Sequence, residues 1–186
     1  MSPVTSLEVR SVRLDDPLAG VLLDELFVEY RDRYADLLGV EELDAEQLAR
    51  YVAEFRAEGL DEFLPPDGDL VLLLAGGVPV AGGAFRRRTE PEHGADEAPR
   101  VPTAELKRIW THHDRRRQGL GRAVLAELER RAAERGYARV YLTTGPRQPE
   151  AVGLYLAASY TPLFDPDAVA SAAPDALSPR PFEKWL

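Results

Sequence analysis

One stretch limits what this chain can become: Arg115-Arg-Arg-Gln-Gly-Leu-Gly-Arg-Ala-Val124. Two glycines two positions apart let the backbone turn tightly and let a ligand reach the main chain. After the turn, Leu120, Val124, Leu128 and Ala132 fall on one helical face, and Gly136 ends the helix. Before it, Thr103 to Trp110 reads as a strand. A strand–turn–helix junction of this kind leaves the opening amides of the helix without internal partners, and the helix dipole adds partial positive charge there. A phosphate or pyrophosphate is the natural occupant.

Charge points the same way. The chain carries 23 Lys and Arg against 32 Asp and Glu, a net charge of −9 that disfavours nucleic acid as a partner. Yet between Lys107 and Arg122 six basic residues (Lys107, Arg108, Arg115, Arg116, Arg117, Arg122) stand against one acid, Asp114. Such a cluster on an acidic chain suits a small anion with several phosphates; a solvated, salt-bridged surface is the competing reading. Gly119-x-Gly121 is not a dinucleotide fingerprint, because position 124 is Val. It also lacks the Gly-Lys-Ser/Thr ending of a P-loop.

The rest of the chain reads as alternating strands and helices. Glu8 to Arg13 is a short strand. Leu18 to about Tyr34 is a helix with Leu18, Leu22, Leu26 and Tyr30 at spacing four. Asp44 and Gln47 form a capping-box pattern, Leu43 and Leu48 a staple, and Gly59 a stop for a second helix with the stripe Leu48, Tyr51, Val52, Phe55. Asp69 to Ala75 turns through Gly76-Gly77 into a returning strand, Val78 to Phe85, that Pro79 and Gly82-Gly83 should weaken or bulge. Residues 87–102 read as a surface loop, Arg139 to Thr144 as a strand and Pro149 to Ala158 as a shorter helix. Five prolines between Pro162 and Pro181 make an irregular tail before a last strand, Phe182 to Leu186. The order predicts an α/β mixture on one sheet, a single domain over 1–186.

Several classes are excluded. No apolar run approaches the roughly 20 residues of a membrane span, and Met1 to Glu8 lack a basic-then-apolar leader, so a cytoplasmic protein with no membrane partner is expected. Zero cysteines exclude disulfides, a thiolate zinc site and a cysteine nucleophile. His112-His113 lack the i, i+4 spacing of helical metal ligands and read as a polar loop, so no metal is expected. Arg86-Arg87-Arg88 reads as a solvated strand end.

In its setting between strand and helix, Arg116-x-x-Gly119-x-Gly121 resembles motif A of the GCN5-related N-acetyltransferases, which bind acetyl-coenzyme A. Ala104-Glu-Leu-Lys-Arg-Ile-Trp-Thr111 looks like that family's fourth strand. Glu150-Ala-Val-Gly-Leu-Tyr-Leu-Ala-Ala-Ser-Tyr160 resembles its motif B. The likeness covers about Thr103 to Leu163, with one departure: Ser159 stands where relatives usually have glycine.

The resemblance implies a central mixed, largely antiparallel sheet of six to seven strands, splayed between the fourth and fifth, with about four flanking helices. It implies acetyl-CoA as co-substrate, its pyrophosphate held by amides from Gln118, Gly119, Leu120, Gly121, Arg122 and Ala123 with Arg116 and Arg117 nearby. Backbone groups around Ile109, Trp110 and Thr111 would pair with pantetheine. Tyr155 would protonate the departing thiolate, and Glu105 would serve as base, directly or through water; its alternative is an exposed strand residue paired with Lys107 or Arg108. The first two helices would form the acceptor wall. There Glu25, Glu29, Tyr30, Asp32, Tyr34 and Asp36 could receive a cationic amine or simply form a wet helix face. The implied activity is acetyl transfer to a primary amine of a small molecule in a ternary complex. Acetylation of a protein lysine or N-terminus and a non-catalytic acyl-CoA-binding module are the alternatives. A homodimer through sheet edges or the tail is left open.

Overall fold

The computed structural model describes residues 6–39, 43–91, 101–165 and 178–186; the middle of the expected 87–102 loop and most of the proline-rich tail lie outside them. Strands β1 (Leu7–Ser11), β2 (Asp69–Ala75), β3 (Val78–Arg87), β4 (Thr103–Thr111), β5 (Arg139–Thr144), β6 (Thr161–Pro162) and β7 (Arg180–Trp185) form one sheet in the order β1-β2-β3-β4-β5-β7-β6. Every neighbouring pair is antiparallel except β4 and β5. The helices are α1 (Gly20–Leu38), α2 (Ala45–Ala57), α3 (Leu120–Glu134) and α4 (Pro149–Ala157). This is the mixed, largely antiparallel sheet with four helices that the resemblance implied. No described helix is long and apolar enough to cross a membrane.

Strand β2 shows how the sheet is covered on both faces. Its run of leucine and valine is buried throughout, as a central strand requires. Leu70, Leu72 and Leu74 join Leu22, Leu23 and Leu26 of α1, whereas Val71 and Leu73 join Val124, Leu125 and Leu128 of α3. The two helices come close to the sheet over bare backbone in β3. A Cβ at Gly82 would stand 2.7 Å from the Leu72 side chain and 3.1 Å from Leu22, and one at Gly83 only 2.7 Å from Ile109 and 3.0 Å from Leu128.

Two irregularities shape the centre. Gly82 pairs with Trp110 but Ala84 pairs with Lys107, so Gly83 faces both Arg108 and Ile109 and β4 bulges. Arg108 takes the left-handed conformation, φ +55°. Sequence reading expected Pro79 and Gly82-Gly83 to weaken or bulge β3. The strand does bulge beside Pro79, where Leu73 pairs with Ala81 and Leu74 with Pro79, whereas at the glycines the extra residue lies on the partner strand. The second irregularity is the splay. β4 and β5 pair only through Thr103–Arg139, Ala104–Val140 and Glu105–Tyr141, after which they part.

Local signals elsewhere fold as their chemistry dictates. Asp44 and Gln47 close both halves of the capping box on α2, at 2.8 and 2.9 Å. Helix α4 ends in a Schellman motif: the Tyr160 amide donates to the Tyr155 carbonyl at 3.0 Å and the Ser159 amide to Leu156 at 3.1 Å, with Ser159 left-handed at φ +66°. A serine there pays roughly 1 kcal/mol that glycine avoids, part of which glycine returns through the freer unfolded chain. Ser159→Gly is therefore expected to raise stability by about 0.5–1 kcal/mol, measured by urea unfolding.

Candidate active site

Beyond Glu105 the gap between β4 and β5 widens into a cavity of about 1030 Å³. It is bounded along its length by residues 106–111 of β4 and by Thr143, Thr144 and Gly145 at the end of β5. Tyr30 and Tyr34 of α1 with Tyr51 and Phe55 of α2 wall one side, and Ala151, Leu154 and Tyr155 of α4 the other. Residues 119–122, where α3 opens, are also in its lining. The cavity thus passes from one face of the sheet to the other through the splay.

The end at α3 is built to hold an anion. Arg117 (φ +60°) and Gly119 (φ +79°) are both left-handed, and this turns the chain sharply into the helix. The first amide bonded along the helix is that of Ala123, which donates to the Gly119 carbonyl at 3.1 Å. The amides of Leu120, Gly121 and Arg122 precede it and have no acceptor among the described residues. Two of the expected cofactor contacts stand apart from the cavity lining. Ala123 spends its amide inside the helix, and Gln118 is exposed; neither lines the cavity. Arg116 lines it but is bound to Glu29 of α1 at 2.8 Å, while Arg117 makes no hydrogen bond or ion pair among the described residues. The Arg122 guanidinium donates to the carbonyl of Ala157.

Ile109, Trp110 and Thr111 line the cavity as anticipated, in the part of β4 that has left β5. On the α3 face Ile109 packs with Val124 and Leu128, while the Trp110 indole crosses to α1 and donates to Glu25 at 2.9 Å. Tyr155 is buried on the α4 wall, its ring 5.4 Å from Phe182 and 5.8 Å from Tyr160. Burial pushes its hydroxyl well above the ordinary tyrosine range, and the nearby Tyr30 adds to the shift. The phenol is therefore a proton donor at neutral pH.

Glu105 is not brought to the cavity. It is buried at 3% exposure and held by Arg86 at 2.7 Å, Lys107 at 3.1 Å and Arg88 at 3.6 Å. Of the two partners weighed from sequence, Lys107 is the one it meets; Arg108 turns elsewhere. Of the triple arginine, only Arg87 is the solvated strand end expected, with 57% of its side chain exposed. Arg86 bridges Glu105, Glu62 and Glu90, and Arg88 lies 3.8 Å over the Tyr141 ring with 8% of its side chain exposed.

The acids of α1 are all engaged. Glu29 meets Arg33 at 3.1 Å as well as Arg116, Asp32 meets Arg31 and Asp36 meets Arg147. Glu25 accepts from Trp110, from the His113 amide and from His113 Nδ1 at 2.7 Å, with His112 Nε2 at 3.3 Å. Burial works to raise the Glu25 carboxyl, but the His113 and Trp110 hydrogen bonds outweigh it and hold it below its usual value. Glu25, His112 and His113 bring ligand-type atoms within 4.8 Å of one another. His112 Nδ1 accepts from the Asp114 amide at 3.3 Å, which leaves Nε2 to donate to Glu25. The cluster is a hydrogen-bonded tie from α1 to the turn that carries the anion site.

Sequence reasoning missed Arg108, Lys107 and the rings of Phe27, Tyr51 and Phe55 as cavity walls. The helical stripe of α2 contained the signal for the last two, but a stripe does not say whether it meets a core or a cavity.

The hydrogen bond to Glu25 raises the His113 pKa. The tie therefore contributes fully below the ordinary histidine value of about 6.5 and is lost as pH rises through the raised one. In an NMR titration His113 is expected to titrate above that ordinary value, and Glu25→Gln is expected to return it there.

Comparisons with known proteins agree with this geometry. The Acetyltransferase (GNAT) family profile matches residues 24–159. No curated protein matches the chain. Among solved structures, a Klebsiella pneumoniae protein assigned as an acyl-CoA N-acyltransferase is similar at 24% identity, covering 98% of this chain and 99% of that one with a TM-score of 0.61. The PaiA N-acetyltransferase of Thermoplasma acidophilum, solved in complex with coenzyme A, aligns at 15% identity over 97% and 99% of the two chains with a TM-score of 0.64. An acetyltransferase from Thermus thermophilus aligns at 22% identity over 98% and 99%, TM-score 0.55. With most of its length inside the family profile and the splayed sheet and helix-end site in place, the chain belongs to the GNAT family of acetyltransferases and is an acyltransferase.

Proposed function

We propose that the protein is an acetyl-CoA-dependent N-acetyltransferase that acts on a primary amine of a small molecule by direct transfer in a ternary complex. The observation that carries this reading is the stretch of β4 from residue 106 to 111, left without a β5 partner over a cavity that contains the free amides of α3 and the buried Tyr155. Main-chain donors and acceptors in that stretch need partners, and the amide-bearing pantetheine arm supplies them in strand-like fashion. Coenzyme A in the Thermoplasma structure supports the choice of ligand.

In this reading the amides of Leu120, Gly121 and Arg122 take the pyrophosphate, with Arg117 as the free cation beside it. Backbone groups at Ile109 and Thr111 fix the pantetheine, and a β4 amide polarises the thioester carbonyl. The acceptor nitrogen forms the new bond to the acetyl carbon as the carbon–sulfur bond breaks. Tyr155, protonated at neutral pH, gives its proton to the departing sulfur, and the acylated nitrogen releases its extra proton to solvent, from which the phenol is restored. Glu105 supports Lys107 from behind the cavity wall rather than serving as base. Both carboxylates in the cavity lining, Glu29 and Glu150, are held by Arg33. The acceptor therefore enters as the free amine. With no cysteine to form the commonest acyl-enzyme, transfer is direct.

The test is release of free thiol from acetyl-CoA across amines, amino acids, polyamines and lysine peptides, in which a cysteine-free protein contributes no background. Release with small amines is the expected result. Release with peptides alone would move the acceptor to protein, and coenzyme A binding without release would leave a non-catalytic binder. Tyr155→Phe is expected to lower kcat by about 100-fold, with the coenzyme A dissociation constant changed less than about threefold, because the ring packing stays. For the wild type, kcat/KM is expected to climb about tenfold per pH unit up to the acceptor's own pKa; a plateau several units below it would reveal a base on the enzyme.

A further inference from the structure

Away from the α3 amides, the cavity wall is a set of rings. Phe27 lies 5.6 Å from Phe55 and 5.9 Å from Tyr51, and Tyr30 lies 6.1 Å from Phe55. Strand β4 places one cation against this wall. The Arg108 guanidinium stands 4.6 Å over the Phe55 ring, with 9% of the side chain exposed. Its hydrogen bonds go to neutral groups, the carbonyls of Phe55 at 2.8 Å and Glu58 at 2.9 Å. The nearest carboxylate, Glu58, reaches only to 3.7 Å on a side chain that is 78% exposed. Arg108 is thus a buried cation whose one ion pair among the described residues is the long contact with the exposed Glu58.

Its neighbours sharpen the point. The acids of α1 that might have received a cationic substrate are all engaged with basic groups, so this wall has no free negative charge among the described residues. Arg108 occupies a left-handed bulge position where glycine would sit without strain. Tyr30 of α1 and Tyr155 of α4 line the same cavity as Arg108. A guanidinium beside a phenol hydroxyl is a donor pair for a carboxylate, and the rings around it suit an apolar or aromatic skeleton.

We infer that the acceptor is an amine whose apolar or aromatic skeleton also carries a carboxylate, and that Arg108, with Tyr30, takes that carboxylate at the ring-lined wall of the cavity. The inference rests on the acetyl-transfer reading above. The acceptor is anchored by its acid group, and its amine is presented toward the slot beside Tyr155.

Equilibrium titrations on the protein saturated with coenzyme A test this without turnover. The ligands are matched pairs of an amino acid and its decarboxylated amine, phenylalanine with phenethylamine and leucine with isoamylamine. At least one acid is expected to bind 10- to 100-fold more tightly than its amine, the range for a charge-assisted hydrogen bond. Arg108→Gln is expected to bring the pair to within about threefold, and Arg108→Lys to leave an intermediate preference. Because Arg108 also ties β4 to α2, the wild-type comparison decides even if the variants unfold. Equal binding of acid and amine, tighter binding of the amines, or no binding of either acid overturns the inference. Failure of coenzyme A itself to bind is a separate result that overturns the acetyl-transfer reading.

Discussion

A β-strand that leaves its neighbour must find other partners for its backbone. β4 is bonded to β3 on one side along its length but to β5 through only three residue pairs. Everything chemical in this molecule gathers where that second partner is missing. The bulge at Arg108 and Ile109 bends the strand away, β5 stays with β7 through all six of its residues, and the space between becomes the slot. Helix α3 starts where β4 stops, so its free amides lie in the same cavity as the unpaired backbone. The slot and the anion site are two consequences of one interruption in the sheet.

Charge is distributed around this slot in an unequal way. Its lining holds seven cations, Arg31, Arg33, Lys107, Arg108, Arg116, Arg117 and Arg122, against the carboxylates Glu29 and Glu150, although the chain as a whole has a net charge of −9. The acids of α1 are spent on holding the loop and neighbouring arginines in place. Glu29 reaches Arg116 and Glu25 reaches His113 and Trp110, so the first helix braces the turn that presents the α3 amides. Among the described residues Arg117 beside the helix end has no partner, and Arg108 among the rings has two carbonyls and the more distant Glu58. Carboxylates here serve as scaffolding, and cations face the space.

Backbone strain follows the same map. Among the described residues three non-glycine residues are left-handed, and none is remote from the slot. Arg108 makes the bulge, Arg117 turns the loop toward α3, and Ser159 ends the helix that carries Tyr155. Each conformation costs about 1 kcal/mol or more and persists only because surrounding contacts demand it. For Ser159 the demand is visible as the paired hydrogen bonds of the Schellman motif.

Much of this was legible in the order of residues, for a reason that is itself physical. The glycine-spaced turn before α3, the capping box at Asp44 and Gln47, the Gly76-Gly77 hairpin and the unbroken apolar run of β2 are all governed by interactions within a few residues. Local chemistry suffices to read them. The anion site belongs to this class, because a helix start supplies its own free amides wherever the chain places it. Tertiary structure alone decided the rest. One extra residue in β4 reverses its alternation, so that Leu106 and Ile109 face α3 while Arg108 and Trp110 face α1 and α2, and no pattern in the strand announces it. Register across β3 and β4 put Glu105 beside Arg86 and buried Glu105 away from the cavity. Packing brought Glu29 to Arg116 across 87 positions of sequence. Sequence determines a charge and its local backbone; which partner neutralises that charge depends on register and packing between distant segments, and on that depends whether a side chain braces the site or acts in it.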